Sequence, residues 1–194
     1  MPKNRPVPSR CLSGPYRHGR APQVRRLTEQ RVRLAIHQPN FLPRLKVLQK
    51  LASADVWCVL DSVQYCAREW QNRARVVSVH GERPSFWLSI PVRRPNGRNT
   101  AIRGVVVASP SSTAHLIQRT LLHSFRRAPH WDAISDLLTT LQPLLAAEKL
   151  AQLCVDITCA LVQIAGRRPT VLLASSLPVT GESSTLIAAI CRHT

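Results

Sequence analysis

The sequence contains few acidic residues, and this shortage determines its charge. Ten Asp and Glu stand against 27 Lys and Arg, which gives a formal net charge of +17 at pH 7. Residues 1–30 contribute +6 and residues 31–194 contribute +11, so the excess is not confined to a terminal tail. A broad positive field favours anionic small molecules as partners, and nucleic acid is possible but not favoured. An arginine-rich composition without a functional meaning explains the excess equally well.

The chain also lacks long apolar runs and paired cysteines. Its longest nearly uncharged stretch, Leu150 to Ala165, contains Asp156 and is shorter than the roughly 20 apolar residues that a membrane helix needs. The six cysteines form no CxxC pair, and no secretory signal precedes them. We therefore predict a cytoplasmic protein with no membrane span, whose thiols are reduced and mostly fill the core.

The chain divides into a leader and one domain. Residues 1–30 hold five prolines and almost no apolar periodicity, so ordering them would cost backbone entropy for little burial. This predicts a disordered basic leader. Residues 31–194 follow in a chain that is 44% hydrophobic, which is enough apolar material for one α/β domain with a core of its own.

The domain begins with a strand, helix, strand pattern. VRLAI predicts a buried strand, leucines at spacing three predict a helix over residues 44–53, and DVWCVLD predicts a second strand over residues 55–61. This pattern is a βαβ unit, which implies parallel strands. The fold class is therefore predicted as α/β, with a Rossmann-like mixed sheet, β-hairpins in the middle and a helical second half.

The remaining elements follow from local patterns. ARVVSV, FWLSIPV and IRGVVVA are strand-like and separated by turn signals, which predicts two hairpins. Helical periodicity and caps predict four helices and one returning strand, TVLLAS. The helices are predicted over residues 111–125 with Ser111 or Ser112 as the cap, from about 131 to 147 with a possible end at Pro143, over 149–164, and over 182–193.

Polar side chains follow both predicted parallel strands. His37 and Asn40 follow the first, and Asp61 and Gln64 follow the second. The carboxyl ends of neighbouring strands form the crevice where ligands bind in open sheets, so these residues are expected to lie close together. His37 suits proton transfer near neutral pH, and a carboxylate such as Asp61 could orient it.

The next polar segment, WQNR, adds further candidates. Arg73 can bind a carboxylate or phosphate with two hydrogen bonds, and Gln71 and Asn72 supply neutral donors and acceptors. Structural roles compete with these functional ones. A single histidine after a strand is more often structural than catalytic, and an aspartate there is as often a turn cap.

Three segments carry a resemblance to a known family. AIHQPNFLP, followed by a helix and then by ADVWCVLDSVQYCAREWQNRARV, resembles the opening signature of the WbqC-like protein family. Weaker similarity continues in FWLSIPV, HSFRRAPHW and SSLPVTGESSTLIAAICRHT, so the resemblance covers nearly all of residues 32–194.

The resemblance implies a role in the biosynthesis of O-antigen or other polysaccharides. It implies transfer of a small acyl group, such as an aminoacyl or glycyl group, onto a sugar, with no cofactor or metal that the sequence can name. The substrate is expected to be anionic, a nucleotide-sugar or a carboxylate-bearing molecule. The residues carried over are His37 and Asp61 as catalytic groups, and Gln38, Asn40, Gln64, Gln71, Asn72 and Arg73 as substrate-binding groups.

The chain departs from the family pattern at several points. Arg44 stands where the family usually has Trp, and Ser62 stands where a second acidic residue is common. The family pattern also continues past the final CRHT, so the C-terminal end of the pattern is expected to be missing. Other hypotheses are a nucleic-acid-binding basic protein, a nucleotidylyltransferase-like enzyme with one histidine of the usual pair, and an inactive truncated remnant.

Overall fold

A computed structural model describes residues 31–77 and 85–194. The predicted leader, residues 1–30, therefore lies outside the described residues. The five α-helices are α1 (Leu45–Ala52), α2 (Pro110–Phe125), α3 (Trp131–Leu141), α4 (Leu150–Ile164) and α5 (Ser183–His193). The seven strands are β1 (Leu34–His37), β2 (Val56–Val59), β3 (Arg73–Val77), β4 (Ser85–Ser89), β5 (Val92–Arg93), β6 (Val106–Val107) and β7 (Thr170–Leu173). Both counts refer to the described residues.

The parallel sheet has the order β1-β2-β7, with β2 in the centre. His37 is in register with Val59, and Val59 is in register with Leu173. The predicted βαβ unit is therefore confirmed, with α1 as the crossover helix. β7, the last strand in the sequence, pairs with β2, so that β2 has a neighbouring strand on each side.

Each face of this sheet packs on helices. Residues alternate between the two faces of a strand, so Trp57 and Val59 point one way and Cys58 points the other. The Trp57 face packs on Leu51 of α1 and on α4. The Cys58 face packs on Ile190 of α5. The result is a small three-layer α/β arrangement, in agreement with the predicted α/β fold class.

The antiparallel strands form two further sheets, each of two strands. β3 pairs with β4, and β5 pairs with β6. These are the two predicted hairpins, although IRG at residues 102–104 forms a 3₁₀ turn before β6 begins. The hairpins and α2 to α4 enclose the largest hydrophobic cluster, in which Phe41 carries the first loop into the core.

The helix boundaries agree with the apolar periodicity, with one correction at a cap. The N-cap of α2 is Ser109, so the expectation of Ser111 or Ser112 was wrong. Pro110 occupies the first turn, where its missing N–H costs nothing, and this moves the helix start ahead of the serines. α3 ends at Leu141, just before Pro143, as the proline predicts.

The cysteines are only partly in the core. Cys58 and Cys154 are buried, whereas Cys66 and Cys191 are exposed. Burial raises the pKa of the Cys58 thiol to about 11, with smaller contributions from Asp61 and Cys191. The expectation that the cysteines mostly fill the core therefore holds for some of them and was wrong for the exposed pair.

Candidate functional site

The candidate residues lie on loops that leave the same edge of the parallel sheet. The site loop (residues 38–44) follows β1, and the facing loop (residues 60–72) follows β2. Because β1 and β2 are parallel neighbours, both loops start at the carboxyl edge. The backbone N–H of Phe41 in the site loop donates to the carbonyl of Trp70 in the facing loop at 3.0 Å, which holds the two loops together.

His37 is the last residue of β1 and is half-buried. It shares the register of Val59 and Leu173, whose side chains pack toward α1 and α4, so the imidazole lies on that face of the sheet. Burial first, and then the positive charges of Lys50 and Arg44, lower the pKa of His37 below its ordinary value of 6.5. The imidazole is therefore neutral at pH 7 and can accept a proton.

Two cations of α1 and its N-cap surround this imidazole. The Lys50 ammonium donates to the carbonyl of Ile36 at 2.7 Å, which fixes it beside the end of β1. The Arg44 guanidinium lies over the Trp70 ring, 4.4 Å from the ring centroid. Among the described residues, no carboxylate contributes to the lowered pKa of His37. The surroundings of His37 are thus positively charged and suit an anionic ligand.

A buried amide connects the two loops beneath the site. Gln71 is 1% exposed, and its Nε2 donates to Gln38 Oε1 at 2.8 Å. The backbone N–H of Cys66 donates to Gln71 Oε1 at 3.1 Å, and the Cys154 thiol donates to the Gln71 carbonyl at 3.2 Å. Because a buried amide must find partners, this network fixes the positions of both loops.

Four side chains form an aromatic column, which we define as Arg44, Trp70, Trp87 and Arg73. The Trp70 and Trp87 ring centroids are 5.2 Å apart, at an interplanar angle of 50°. Arg73 lies over Trp87 at 4.3 Å and also donates through Nη2 to the Arg68 carbonyl. Among the described residues, the buried Nε of Arg73 has no hydrogen-bond partner. The column joins the site loop to the β3–β4 hairpin.

Both loops contain strained backbone. Leu42 has φ 44° in the site loop, and Arg68 has φ 78° in the facing loop. Residues other than glycine adopt these values rarely, at a cost of roughly 1–2 kcal/mol each. Such strain persists only where surrounding contacts impose it, and it is concentrated at ligand-binding sites. Leu42 follows Phe41, whose backbone N–H is hydrogen-bonded to Trp70, and the Arg68 carbonyl accepts from Arg73.

The described hydrogen bonds of the Asp61 carboxylate come from Ser175 and not from His37. The carboxylate of Asp61 is 3% exposed and accepts two hydrogen bonds from Ser175, one from the backbone N–H at 2.9 Å and one from Oγ at 2.6 Å. Within residues 31–77 and 85–194, no hydrogen bond joins it to His37. Ser175 follows β7, so Asp61 connects the ends of β2 and β7 at the same edge of the sheet.

The remaining candidates are spread along this edge. Gln64 is exposed and donates from Nε2 to the Arg98 carbonyl at 2.7 Å. Asn72 donates from Nδ2 to the Ile90 carbonyl at 3.0 Å, which ties the facing loop to the end of β4. Asn40 is half-buried, and its side chain makes no hydrogen bond within the described part of the chain. The amide donors of Asn40, like those of Gln38, therefore have no hydrogen-bond partner among the described residues and are available to a ligand.

Several site residues were not predicted from the sequence. Ser175 lies far along the chain from Asp61, to which it donates. Lys50 lies on a helix and Trp87 on a strand, and the patterns of these two elements predict only packing. Arg44 could have been found from the sequence, because it stands at the end of the site loop where the family usually has Trp. Within the described residues, no group of three His, Cys, Asp or Glu side chains is placed to hold a metal ion.

The fold and the site define an α/β protein whose polar loops gather at the carboxyl edge of a small parallel sheet. The model of the WbqC-like protein family matches residues 38–194. The chain therefore belongs to the WbqC-like protein family, as its motifs predicted. In the part of the chain that the structure describes, no helix is long and apolar enough to cross a membrane.

One curated relative extends this comparison. The uncharacterized protein Rv1507c of Mycobacterium tuberculosis is 28% identical over 107 residues, which is 55% of this chain and 44% of the relative. The chain thus matches less than half the length of that protein. No solved structure matches the chain.

Proposed function

We propose that the protein is a transferase of surface-polysaccharide biosynthesis that moves a small acyl group, such as an aminoacyl group, onto a sugar. The observation that supports this most is the environment of His37. Its imidazole is neutral because burial and two cations disfavour its protonated form. A neutral imidazole beside cations suits a general base acting on an anionic substrate.

The proposed reaction assigns a role to each group around His37. The imidazole takes the proton of a sugar amine or hydroxyl as that atom bonds to the acyl carbon of a thioester. The carbon–sulfur bond breaks, and the leaving thiolate takes the proton from the imidazolium. Lys50 and Arg44 attract the phosphate or carboxylate of the substrate. Asn40, with donors available, stabilises the oxyanion that develops on the acyl oxygen.

The other candidates take supporting roles in this proposal. Gln38 and Gln71 hold the two loops in position through their hydrogen bond. Asp61 acts as a positioning residue through Ser175 rather than by contact with His37. Arg73, Asn72 and Gln64 shape the rim of the site. The reaction is proposed for the cytoplasm, because nucleotide sugars are the expected substrates.

The role of His37 can be tested by turnover. Nucleotide sugars with free amino or hydroxyl groups are incubated with acetyl and glycyl thioesters, and products are detected as a mass increase equal to the acyl group. We expect the His37→Gln variant to lose about 100-fold or more in kcat, as removal of a general base does. His115→Gln, which changes an exposed histidine on α2, is the matched control and should keep wild-type activity.

The pH dependence gives a second readout. Because the pKa of His37 is lowered from 6.5, activity should fall toward acid pH as the imidazole is protonated, with the midpoint of the fall below pH 6.5. A His37→Gln variant as active as wild type, or an acidic limb centred above pH 6.5, would contradict His37 as the base.

The anion-binding role is tested separately with UDP and UDP-N-acetylglucosamine, by saturation-transfer NMR. Lys50→Gln should weaken binding of both probes about tenfold, because it removes a charged group close to the bound anion. Lys46→Gln changes an exposed lysine of the same helix and is the control. Equal affinity of the Lys50→Gln variant and wild type would exclude Lys50 from the substrate site.

A further inference from the structure

A second candidate site is an apolar pocket of about 460 Å³ between β3 and the helices α1, α2, α3 and α4. This volume is typical of pockets that bind small molecules. Leu42 and Pro43 of the site loop form part of its wall, so the pocket and the candidate active site share one loop.

The pocket exists because α3 packs loosely over the core. Leu141 is the fully buried residue of α3 within its described length. Ile134, Leu137 and Leu138 are half-buried, and all three line the pocket. On the opposite side, Val77 of β3 lines the mouth and remains 58% exposed. Apolar surface on both sides is thus left open to a ligand.

The lining has a distinct chemical character. Among the described residues of the lining, Arg75 of β3 is the single charged one and none is acidic. The Nε of Arg75 donates to Ser85 Oγ at 2.9 Å, which fixes the guanidinium on the exposed face of β3 that Arg75 shares with Val77. A sugar or nucleotide would leave its polar groups unpaired against this lining. An aliphatic body with one anionic end matches both the lining and its charge.

We propose that this pocket binds a single-chain amphiphile, with the aliphatic chain inside and a carboxylate or phosphate head against Arg75. The guanidinium can form paired hydrogen bonds with either head. The proposal is independent of the transferase reaction, because it requires neither His37 nor turnover.

The test uses isothermal titration of the full chain with dodecanoate, dodecyl phosphate and dodecanol, each below its micelle concentration. Wild type should bind all three saturably at one site. Arg75→Gln should weaken dodecanoate and dodecyl phosphate about tenfold and leave dodecanol unchanged, because dodecanol has no charge to pair. Tighter binding of dodecanoate than of dodecyl phosphate would identify the ligand as a free fatty acid, and the reverse would identify it as a lipid phosphate.

Two variants test the pocket itself. Leu138→Trp fills it from α3, and Val77→Trp blocks the mouth from an exposed strand position that accepts an aromatic residue. Either variant, once its melting curve shows a folded protein, should abolish binding of all three probes. Leu116→Trp on α2 and Arg93→Gln on β5 change exposed residues outside the lining and should bind as wild type.

Three results would overturn the proposal. The first is the absence of saturable binding of any probe to wild type. The second is unchanged binding by both folded tryptophan variants of the pocket. The third is an equal loss of dodecanol and dodecanoate in Arg75→Gln, which would exclude pairing of the head group with Arg75.

Discussion

At the scale of single residues, the informative positions are those that depart from a simple rule of burial or backbone geometry. His37 is a half-buried base among cations, Gln71 is an amide in the core, and Arg68 has a left-handed backbone. Gln71 and Arg68 lie in the facing loop at the carboxyl edge of the sheet, and His37 is the last residue of β1, which leads into the site loop. Each departure is costly in isolation, so contacts from other elements must maintain it. The candidate site is therefore a region whose buried polar groups and strained backbone reduce local stability, while contacts from other elements hold these groups in a fixed arrangement.

Asp156 on α4 departs from the same rule away from the site. Burial raises the pKa of its carboxyl above the ordinary value of 3.8, and the hydrogen bond from Gln152 opposes that shift. A raised carboxyl pKa means that the charged form is disfavoured in the folded state. Stability associated with this group is therefore lost as the pH rises from about 3.8 through the raised pKa.

We predict that Asp156→Asn raises the melting temperature at pH 7, because the amide removes the buried charge and still accepts from Gln152. The gain should shrink as the pH falls toward 3.8, where wild type is protonated as well. Thermal unfolding from pH 3.5 to 8 measures it, with the exposed Asp136→Asn of α3 as the control. A lower melting temperature for Asp156→Asn at pH 7 would contradict the assignment.

Arg68 allows the strain in the facing loop to be measured. It is exposed and has φ 78°, and its side chain makes no described hydrogen bond. Glycine adopts this backbone without a Cβ penalty, whereas alanine keeps the penalty. We predict that Arg68→Gly is about 1 kcal/mol more stable than Arg68→Ala in urea unfolding. If the alanine variant is the more stable of the two, the loop is not strained at this position.

At the scale of elements, local patterns in the sequence predicted the helices and the positions of most strands along the chain. Leucine spacing gave α1, and Pro143 gave the end of α3. These signals are local, so they can be read without knowing the fold. The start of α2 was misjudged because Pro110 at the first turn favours Ser109 over the serines that follow.

Contacts distant in sequence could not be predicted in the same way. Asp61 and Ser175 are separated by 114 residues, and the sequence offered His37 as the nearer partner for the carboxylate. β7 places Ser175 beside Asp61 only because β7 pairs with β2 rather than with β1. Strand order in a sheet depends on the packing of the whole domain, so the sequence predicted the edge of the site but not its hydrogen bonds.

The Asp61–Ser175 contact should stabilise the pairing of β2 with β7. Ser175→Ala removes one of two donors to a buried carboxylate, and we predict a loss of about 2 kcal/mol in the free energy of unfolding. Ser176→Ala is the control, because its exposed Oγ donates only to the carbonyl of Leu173. In a double-mutant cycle with Asp61→Ala, the combined loss should be smaller than the sum of the two. Strict additivity would mean that the two side chains do not interact.

At the scale of the whole molecule, the charge of the chain is poorly neutralised. The formal net charge is +17, and the described residues contain one salt bridge, between Arg33 and Asp55 at 3.3 Å. Both partners are largely exposed, so this pair contributes little. Because the net charge is strongly positive, repulsion among exposed cations works against the compact state. The same charge that would attract an anionic substrate therefore reduces the stability of the fold.

This balance predicts that salt stabilises the protein. The Debye length falls from about 30 Å at 0.01 M salt to about 8 Å at 0.15 M, so repulsion between exposed cations is screened over this range. We predict that the melting temperature rises between these two NaCl concentrations at pH 7. Arg93 and Arg119 are exposed and allow a graded test: changing both to Gln gives +15, and changing both to Glu gives +13. The rise with salt should decrease in that order, because less repulsion remains to be screened. A melting temperature that falls with salt, or a rise that is identical in all three proteins, would mean that self-repulsion does not limit the stability of this fold.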